Sequence, residues 1–360
     1  MKEKIITIGF VVILLGVFLG NIIKQDESIS VSERRKLAQF PQITLQKLLD
    51  ANVSDEFEEY AMDQFIGRDS LRGIKNMFHT QILRQKDNNG LFLLEDCIYK
   101  IEYPLNKASV EKSAKTIQNI YQKYLQGRSN VYYAIIPDKN YFLPEEYLKM
   151  DYEAMKQIIQ KELGNLTYID LFSTLTIQDY YKTDTHWKQE NIMPVVNQIE
   201  KQMNLPITSK ENYTLQEAGD FYGVYYGQLG LPVEPDTLRY LTNETIEKCI
   251  TQNIETQKQG KVYDLEKYQT SSDKYDIFLS GATPLITIEN PDAKNNQELL
   301  LFRDSFGSSI APLFINHYQK ITLIDIRYMS SQLLDKYVDF TTQDVLFLYS
   351  ALVFNQNILK

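Results

Sequence analysis

Leu299-Leu300-Leu301-Phe302-Arg303-Asp304-Ser305-Phe306-Gly307 is the stretch on which the fold turns. Four consecutive apolar residues mark a strand buried on both faces, as in a parallel sheet covered by helices. Beyond Gly307, the apolar residues Ile310, Leu313 and Phe314 recur at helical spacing. The stretch therefore reads as strand, tight turn and helix, with Ser305 in the turn. In an open α/β sheet that position lies beyond the carboxyl end of the strand, where such sheets place their ligands. The helix start behind it offers unpartnered backbone N–H groups and a partial positive charge, both suited to an oxyanion. Asp304 and Gly307 share the turn and are candidates for contacting substrate or oxyanion, although Asp304 could instead cap the helix. Serine and aspartate are also common helix caps, so Ser305 alone identifies no chemistry.

The same alternation extends outward from this stretch. An apolar strand over 131–137 ends at Asp138-Lys139-Asn140 and is flanked by helical periodicity over 109–124 and 152–163. A short strand over 167–171, a helix over 190–203, a strand over 321–326, a helix around 331–337 and a strand over 345–349 complete the pattern. The strand-like run 91–99 follows the turn signal Asn88-Asn89-Gly90. Strands alternating with helices predict a mostly parallel sheet covered on both faces, an α/β fold. Between 206 and 296 the pattern becomes short, rich in tyrosine and threonine and punctuated by glycine, which reads as a β-rich insertion. The expected organisation is 86–205 and 297–360 as one α/β domain, 206–296 as the insertion, and 25–85 as a linker with helices. Within 25–85, Leu45, Leu48 and Leu49 suggest a short helix, Phe57, Tyr60, Ala61 and Phe65 a second, and 71–83 a third.

Residues 1–24 read as a membrane anchor. Lys2 and Lys4 precede an uncharged, apolar run over 5–23, long enough to cross a bilayer. No small-x-small cleavage site follows, so the reading is an uncleaved signal anchor with the lysines inside and the large domain exported; a cleaved secretion signal is the alternative. Arg34, Arg35 and Lys36, beyond the span, run against that orientation. A formal net charge of −9 with no basic stripe argues against nucleic acid as a partner. Two cysteines, Cys97 and Cys249, allow one disulfide or two buried thiols. No Cys/His cluster has zinc spacing and no glycine-rich loop resembles a nucleotide cradle, so neither metal nor soluble cofactor is expected. The 25 tyrosines suit polymer contact, but tyrosine is equally a strand residue.

With three histidines in the chain, the choice of a base for Ser305 is narrow. In Asp184-Thr185-His186-Trp187 a carboxylate and an imidazole lie two residues apart, on one face of an extended backbone. Asp184 and His186 supply the other two members of a Ser-His-Asp triad, the aspartate fixing the ring tautomer and the histidine taking the serine proton. His79, in a predicted helix, and His317, at a helix end, have no such carboxylate. Trp187 reads as support packed against the loop, with sugar stacking as the sharper alternative. Lys139 and Arg327 each follow a predicted sheet strand and are candidates for bordering the cleft; a surface ion pair is the plainer reading.

Asp184-Thr185-His186-Trp187 resembles the Asp-His-His-Trp signature of the DHHW family, relatives of SGNH-like alginate O-acetyltransferases. The segment 32–41, Asp63-Gln64-Phe65-Ile66-Gly67-Arg68-Asp69, the Arg303–Gly307 turn and Ile324-Asp325-Ile326-Arg327-Tyr328 are similar to further elements of that family, in the same order. Two departures stand out. Thr185 replaces the first histidine of the signature, and Arg303 occupies the place where the broader SGNH pattern has glycine.

The resemblance implies a flavodoxin-like SGNH fold, permuted so that Asp184 and His186 precede Ser305. It also implies serine-based O-acetyl transfer to a cell-surface or exported polysaccharide, through an acetyl-serine intermediate. Its implied partner is a multipass membrane-bound acyltransferase that relays the acetyl group across the membrane. An SGNH-type carbohydrate esterase would use the same residues with water as acceptor. An anchored, non-catalytic polysaccharide-binding scaffold is the reading from a different class.

Overall fold

The computed structural model describes every residue except 1, 31, 32, 34, 43–51, 79–81, 84, 86, 128, 129 and 232. The predicted helix at Leu45, Leu48 and Leu49, and His79, lie outside the described residues. The chain forms two compact units, one of residues 1–92 and 226–233, the other of 93–225 and 234–360.

The first unit begins with helix α1 (Lys2–Ile23), the one helix among the described residues long and apolar enough to cross a membrane. Two further helices follow, α2 (Asn52–Asp63) and α3 (Arg68–Met77). Gly67, between them, has φ 69°, a left-handed conformation that glycine adopts without steric penalty. A charged cluster ties the linker to these helices. Arg35 grips Asp63 with both terminal nitrogens, and Arg68 reaches Glu33 at 2.6 Å.

The second unit is built on an eight-stranded sheet. Its strands are β1 (Val131–Ile136), β2 (Thr167–Ile169), β3 (Ile250–Asn253), β4 (Gln259–Gly260), β5 (Leu285–Glu289), β6 (Glu298–Arg303), β7 (Lys320–Ile324) and β8 (Asp344–Ser350). They lie in the order β4-β3-β5-β7-β6-β8-β1-β2. From β7 to β2 every pairing is parallel; β5, β3 and β4 continue the sheet in antiparallel fashion. Side chains alternate across it as the pleat requires. Leu299 and Leu301 of β6 and Leu346 and Leu348 of β8 face one core, where they meet Val195, Val196 and Ile199 of α6 (Met193–Gln202) and Phe306 and Ile310 of α7 (Ser305–Ile310). Leu300, Phe302, Val345 and Phe347 face the other. There they meet α4 (Lys107–Ile120), α5 (Tyr152–Glu162) and α8 (Ala351–Gln356). Each fully buried residue of this size contributes about 1.5–3 kcal/mol of burial, so the unbroken apolar strands choose the two-layered cover.

Two expectations change. The run 91–99 is not one strand but Leu91–Leu94 and Cys97–Lys100, because Glu95 and Asp96 both turn to positive φ, 49° and 63°. The tyrosine-rich stretch 206–296 also divides. Thr214–Phe221 and Asp236–Thr242 pair with each other alone, whereas β3, β4 and β5 belong to the main sheet. Ile286 and Ile288 explain the difference, since both are buried in the core shared with β6 and β8. Cys97 and Cys249 are free and buried, and burial pushes the Cys249 thiol up to about 12.

Candidate active site

Ser305 opens α7 directly beyond β6, at the carboxyl end of the parallel strands. Asp304 caps the helix. Its Oδ1 accepts the Phe306 N–H at 3.0 Å, and its Oδ2 accepts the Ser350 N–H at 2.9 Å, pinning the turn to the end of β8. Both carboxylate oxygens are thus engaged by backbone N–H groups, and the buried Asp304 shapes the turn. Gly307 serves the same packing. A Cβ there would lie 2.4 Å from the Arg303 Cβ, so only glycine lets the helix start sit this close to the strand. Ser305 is half-buried at the first position of the helix.

The partner loop is a narrow one. The Tyr181 N–H donates to the His186 carbonyl at 3.0 Å, and Tyr180 bridges Trp187, which confines Asp184 and His186 to the tip. The backbone there is bent, not extended. Asp184 Oδ1 accepts the His186 backbone N–H at 3.0 Å and the His186 Nδ1–H at 2.6 Å, so a local turn brings carboxylate and ring together. With Nδ1 donating, Nε2 carries the lone pair. It accepts from the Ser305 hydroxyl at 2.7 Å. Asp184, His186 and Ser305 therefore form one continuous hydrogen-bonded chain, with the carboxylate fully buried.

Long-range partners hold this loop. The Val224 N–H donates to Asp184 Oδ2 at 2.8 Å. Asp236 accepts from the Lys182 and Thr183 amides and from the Thr183 hydroxyl. At Gly223 a Cβ would fall 2.3 Å from the Asp184 Cβ, so the chain passes against the triad carboxylate with no room for a side chain. The Tyr275 ring stacks on the imidazole, centroids 4.0 Å apart and planes 11° from parallel. Its hydroxyl donates to Ser309 Oγ at 2.8 Å, and burial raises its pKa well above the usual value.

The remaining sequence candidates have structural partners. Lys139 does not border a cleft: it is 3% exposed, and its Nζ donates to the carbonyls of Tyr181, Lys182 and Asp184 at 2.9–3.1 Å. Burial lowers the pKa of this ammonium, which holds the triad loop by its backbone. Trp187 has no exposed surface and cannot stack on a sugar; its Nε1–H donates to Ser309 Oγ at 2.8 Å. Arg327 is half-buried and paired side-on with Asp325 through Nε at 2.9 Å and Nη2 at 2.6 Å. Arg303, in the place of a glycine, is wholly buried; its Nη1 lies 3.5 Å from Asp325, and desolvation lowers its pKa. Thr185 is half-buried. Among the described residues no group of three or more His, Cys, Asp or Glu could hold a metal.

Gly223, Val224, Asp236, Tyr275 and Ser309 escaped the sequence reading. None carries a local motif, and each matters only through what folding brings beside it.

The DHHW family model matches residues 77–324, well over half of the chain. The chain belongs to the DHHW family. A DHHW family protein from Eubacterium siraeum DSM 15702 has the same fold, with a TM-score of 0.62 at 20% identity, over 76% of this chain and 95% of that one. Bacillus cereus PatB1, solved with a sulfonyl adduct, superposes with a TM-score of 0.61 at 20% identity, over 75% of this chain and 97% of that one. The O-acetyltransferase domain of Pseudomonas putida AlgJ is more distant, with a TM-score of 0.45 at 12% identity over 74% and 93% of the two chains. No curated protein matches the chain. In this DHHW protein the histidine of the signature that stands beside tryptophan is the one that meets Ser305.

Proposed function

We propose that this DHHW protein is a serine-dependent O-acetyltransferase that acts outside the cytoplasmic membrane on a polysaccharide. The observation that carries the reading is the hydrogen-bonded chain from Asp184 through His186 to Ser305. Ser305 Oγ attacks the carbonyl carbon of an acetyl ester or thioester while His186 Nε2 takes its proton. The tetrahedral oxyanion is met by the Ser305 amide. As it collapses, the donor's leaving atom departs with the proton from His186, and acetyl-Ser305 remains. A sugar hydroxyl then loses its proton to His186 Nε2 and attacks the acetyl carbonyl, and Ser305 Oγ leaves and regains the proton. Asp184 stabilises the imidazolium at both stages.

Several features support the setting. An apolar helix precedes the α/β unit, and an exported enzyme has no access to cytoplasmic acetyl donors, which calls for a donor relayed by a membrane-bound acyltransferase. The test combines turnover with mass analysis. With a chromogenic acetyl ester, the protein is expected to accumulate acetyl-Ser305 and to pass the group to an added oligosaccharide. Since PatB1 was solved with a sulfonyl adduct, a sulfonyl fluoride is expected to label Ser305 and to stop both reactions. Acetate release with no acetylated sugar would identify an esterase. Turnover retained by folded Ser305→Ala protein would remove the triad reading altogether.

A further inference from the structure

Helix α3 is built inside out. Arg68, Arg72 and Asn76, one turn apart, face inward. Arg68 and Arg72 reach Glu33 at 2.6 and 3.2 Å, Arg72 also donates to the Gly227 carbonyl, and buried Asn76 donates to the Leu229 carbonyl at 2.6 Å. The opposite stripe is apolar and about half exposed: Leu71, Ile74, Met77 and Phe78 are 49%, 59%, 47% and 46% exposed. A helix on a water-facing surface has the reverse arrangement. Exposed apolar side chains follow on the adjoining turn, at Met62, Phe65 and Ile66.

The same unit identifies what covers this stripe. Asn21, in the last turns of α1, accepts the Ile66 N–H on its Oδ1 at 2.8 Å, and Ile66 Cδ1 lies 3.1 Å from where a Gly20 Cβ would be. The turn that leads into α3 is thus fastened to the carboxyl end of the apolar helix. A groove of about 510 Å³ lies there, lined by the apolar Ala61, Met62, Phe65 and Leu71 and by the charged Glu58, Arg68, Arg72 and Lys75. The apolar side chains of this groove suit an acyl chain, and Lys75 a headgroup phosphate.

We propose that α3 lies in the membrane interface, with Leu71, Ile74, Met77 and Phe78 immersed beside the retained α1 span, so that the protein is held to the bilayer by a surface as well as by a single helix. The occupant is the lipid bilayer itself. The inference does not depend on the chemistry at Ser305.

The test uses the full chain reconstituted in phosphatidylglycerol/phosphatidylcholine vesicles, with a nitroxide attached to Leu71→Cys or Ile74→Cys. Cys97 and Cys249 are buried, and the unsubstituted chain treated in parallel sets the background. Ile13→Cys, within α1, serves as the lipid reference, and Glu145→Cys, whose parent side chain is 94% exposed, as the water reference. Power saturation is expected to show oxygen collisions exceeding those of a water-soluble nickel chelate at positions 71 and 74, as at position 13. A chelate-dominated signal at both, equal to that at position 145, would overturn the proposal and leave a protein partner as the cover for the stripe. Recovery of the exported protein with a new N-terminus beyond Asn21 would overturn it too, because the contact with Ile66 would be gone.

Discussion

The turn that carries Ser305 and the loop that carries Asp184 and His186 meet within hydrogen-bonding distance, yet they are held in different ways. The serine turn is largely self-supporting: β6 and α7 are adjacent in sequence, Asp304 caps the helix it precedes, and Gly307 lets that helix sit on Arg303. The histidine loop has local closure but depends on remote braces. Lys139 comes from the end of β1, Val224 and Asp236 lie 40 to 54 residues downstream, and Tyr275 comes from beyond them. The serine hydroxyl is therefore positioned by a short motif, whereas the histidine that meets it needs the folded unit around it.

The largest test of that comparison is removal of the reacting groups. Ser305→Ala and His186→Ala are each expected to lower acetyl turnover by about 10³-fold or more, and the double variant to lose little beyond either, since members of a triad act as a unit. Additive losses in a steady-state assay would mean that the two sides do not work together. Next come the two glycines, one on each side. Gly223→Ala and Gly307→Ala each force a Cβ to within 2.3–2.4 Å of a neighbouring Cβ. Overpacking of this kind costs about 1–3 kcal/mol. Gly223→Ala is expected to displace Asp184 and depress kcat more than thermal stability. Gly307→Ala is expected to lower both, because the helix must lift from β6. Equal kcat and Tm losses in both variants would break the distinction.

Tyr275→Phe probes the bracing more gently. It keeps the ring on His186 and deletes only the bond to Ser309, for an expected loss of about 0.5–1.5 kcal/mol in stability and less than about tenfold in kcat. The smallest effect concerns Asp138, next to Lys139. Burial raises this carboxyl to about 7, against the hydrogen bonds from Tyr152 and the Asn140 amide. A folded-state pKa above the unfolded value of 3.8 means stability that is full below about 4 and lost as pH rises through about 7. Asp138→Asn, which cannot ionise, is expected to flatten that slope, with a Tm change of about 2–4 °C relative to the parent between pH 5 and pH 8. An unchanged slope in a pH series of melting curves would count against an uncharged Asp138 at low pH.

The strands were legible because burial on both faces demands apolar runs, and β1, β6 and β8 have them. The serine turn was legible for the same reason, with its cap and glycine inside one motif. Asp184 and His186 were legible as a pair, although an Asx-type turn, and not an extended backbone, makes them meet. Trp187 was legible as support packed against the loop, whereas Lys139 was placed at the cleft, since residue type says nothing of burial. The indole is enclosed, and the ammonium spends its three donors on carbonyls that no local pattern announces. The run 91–99 broke at Glu95-Asp96, where two non-glycine residues take positive φ without a glycine to signal it.

By itself the sequence determined the α/β class, the apolar N-terminal helix, family membership and the identity of the three residues that now stand in line. These depend on periodicity and on short motifs, which act over a few residues. Only the tertiary structure decided that β3, β4 and β5 extend the main sheet, that Lys139, Asp236, Gly223 and Tyr275 support the histidine loop, and that α3 turns its arginines inward. Those outcomes depend on which distant groups satisfy each buried donor and carbonyl. That matching is settled only when the chain has closed around them.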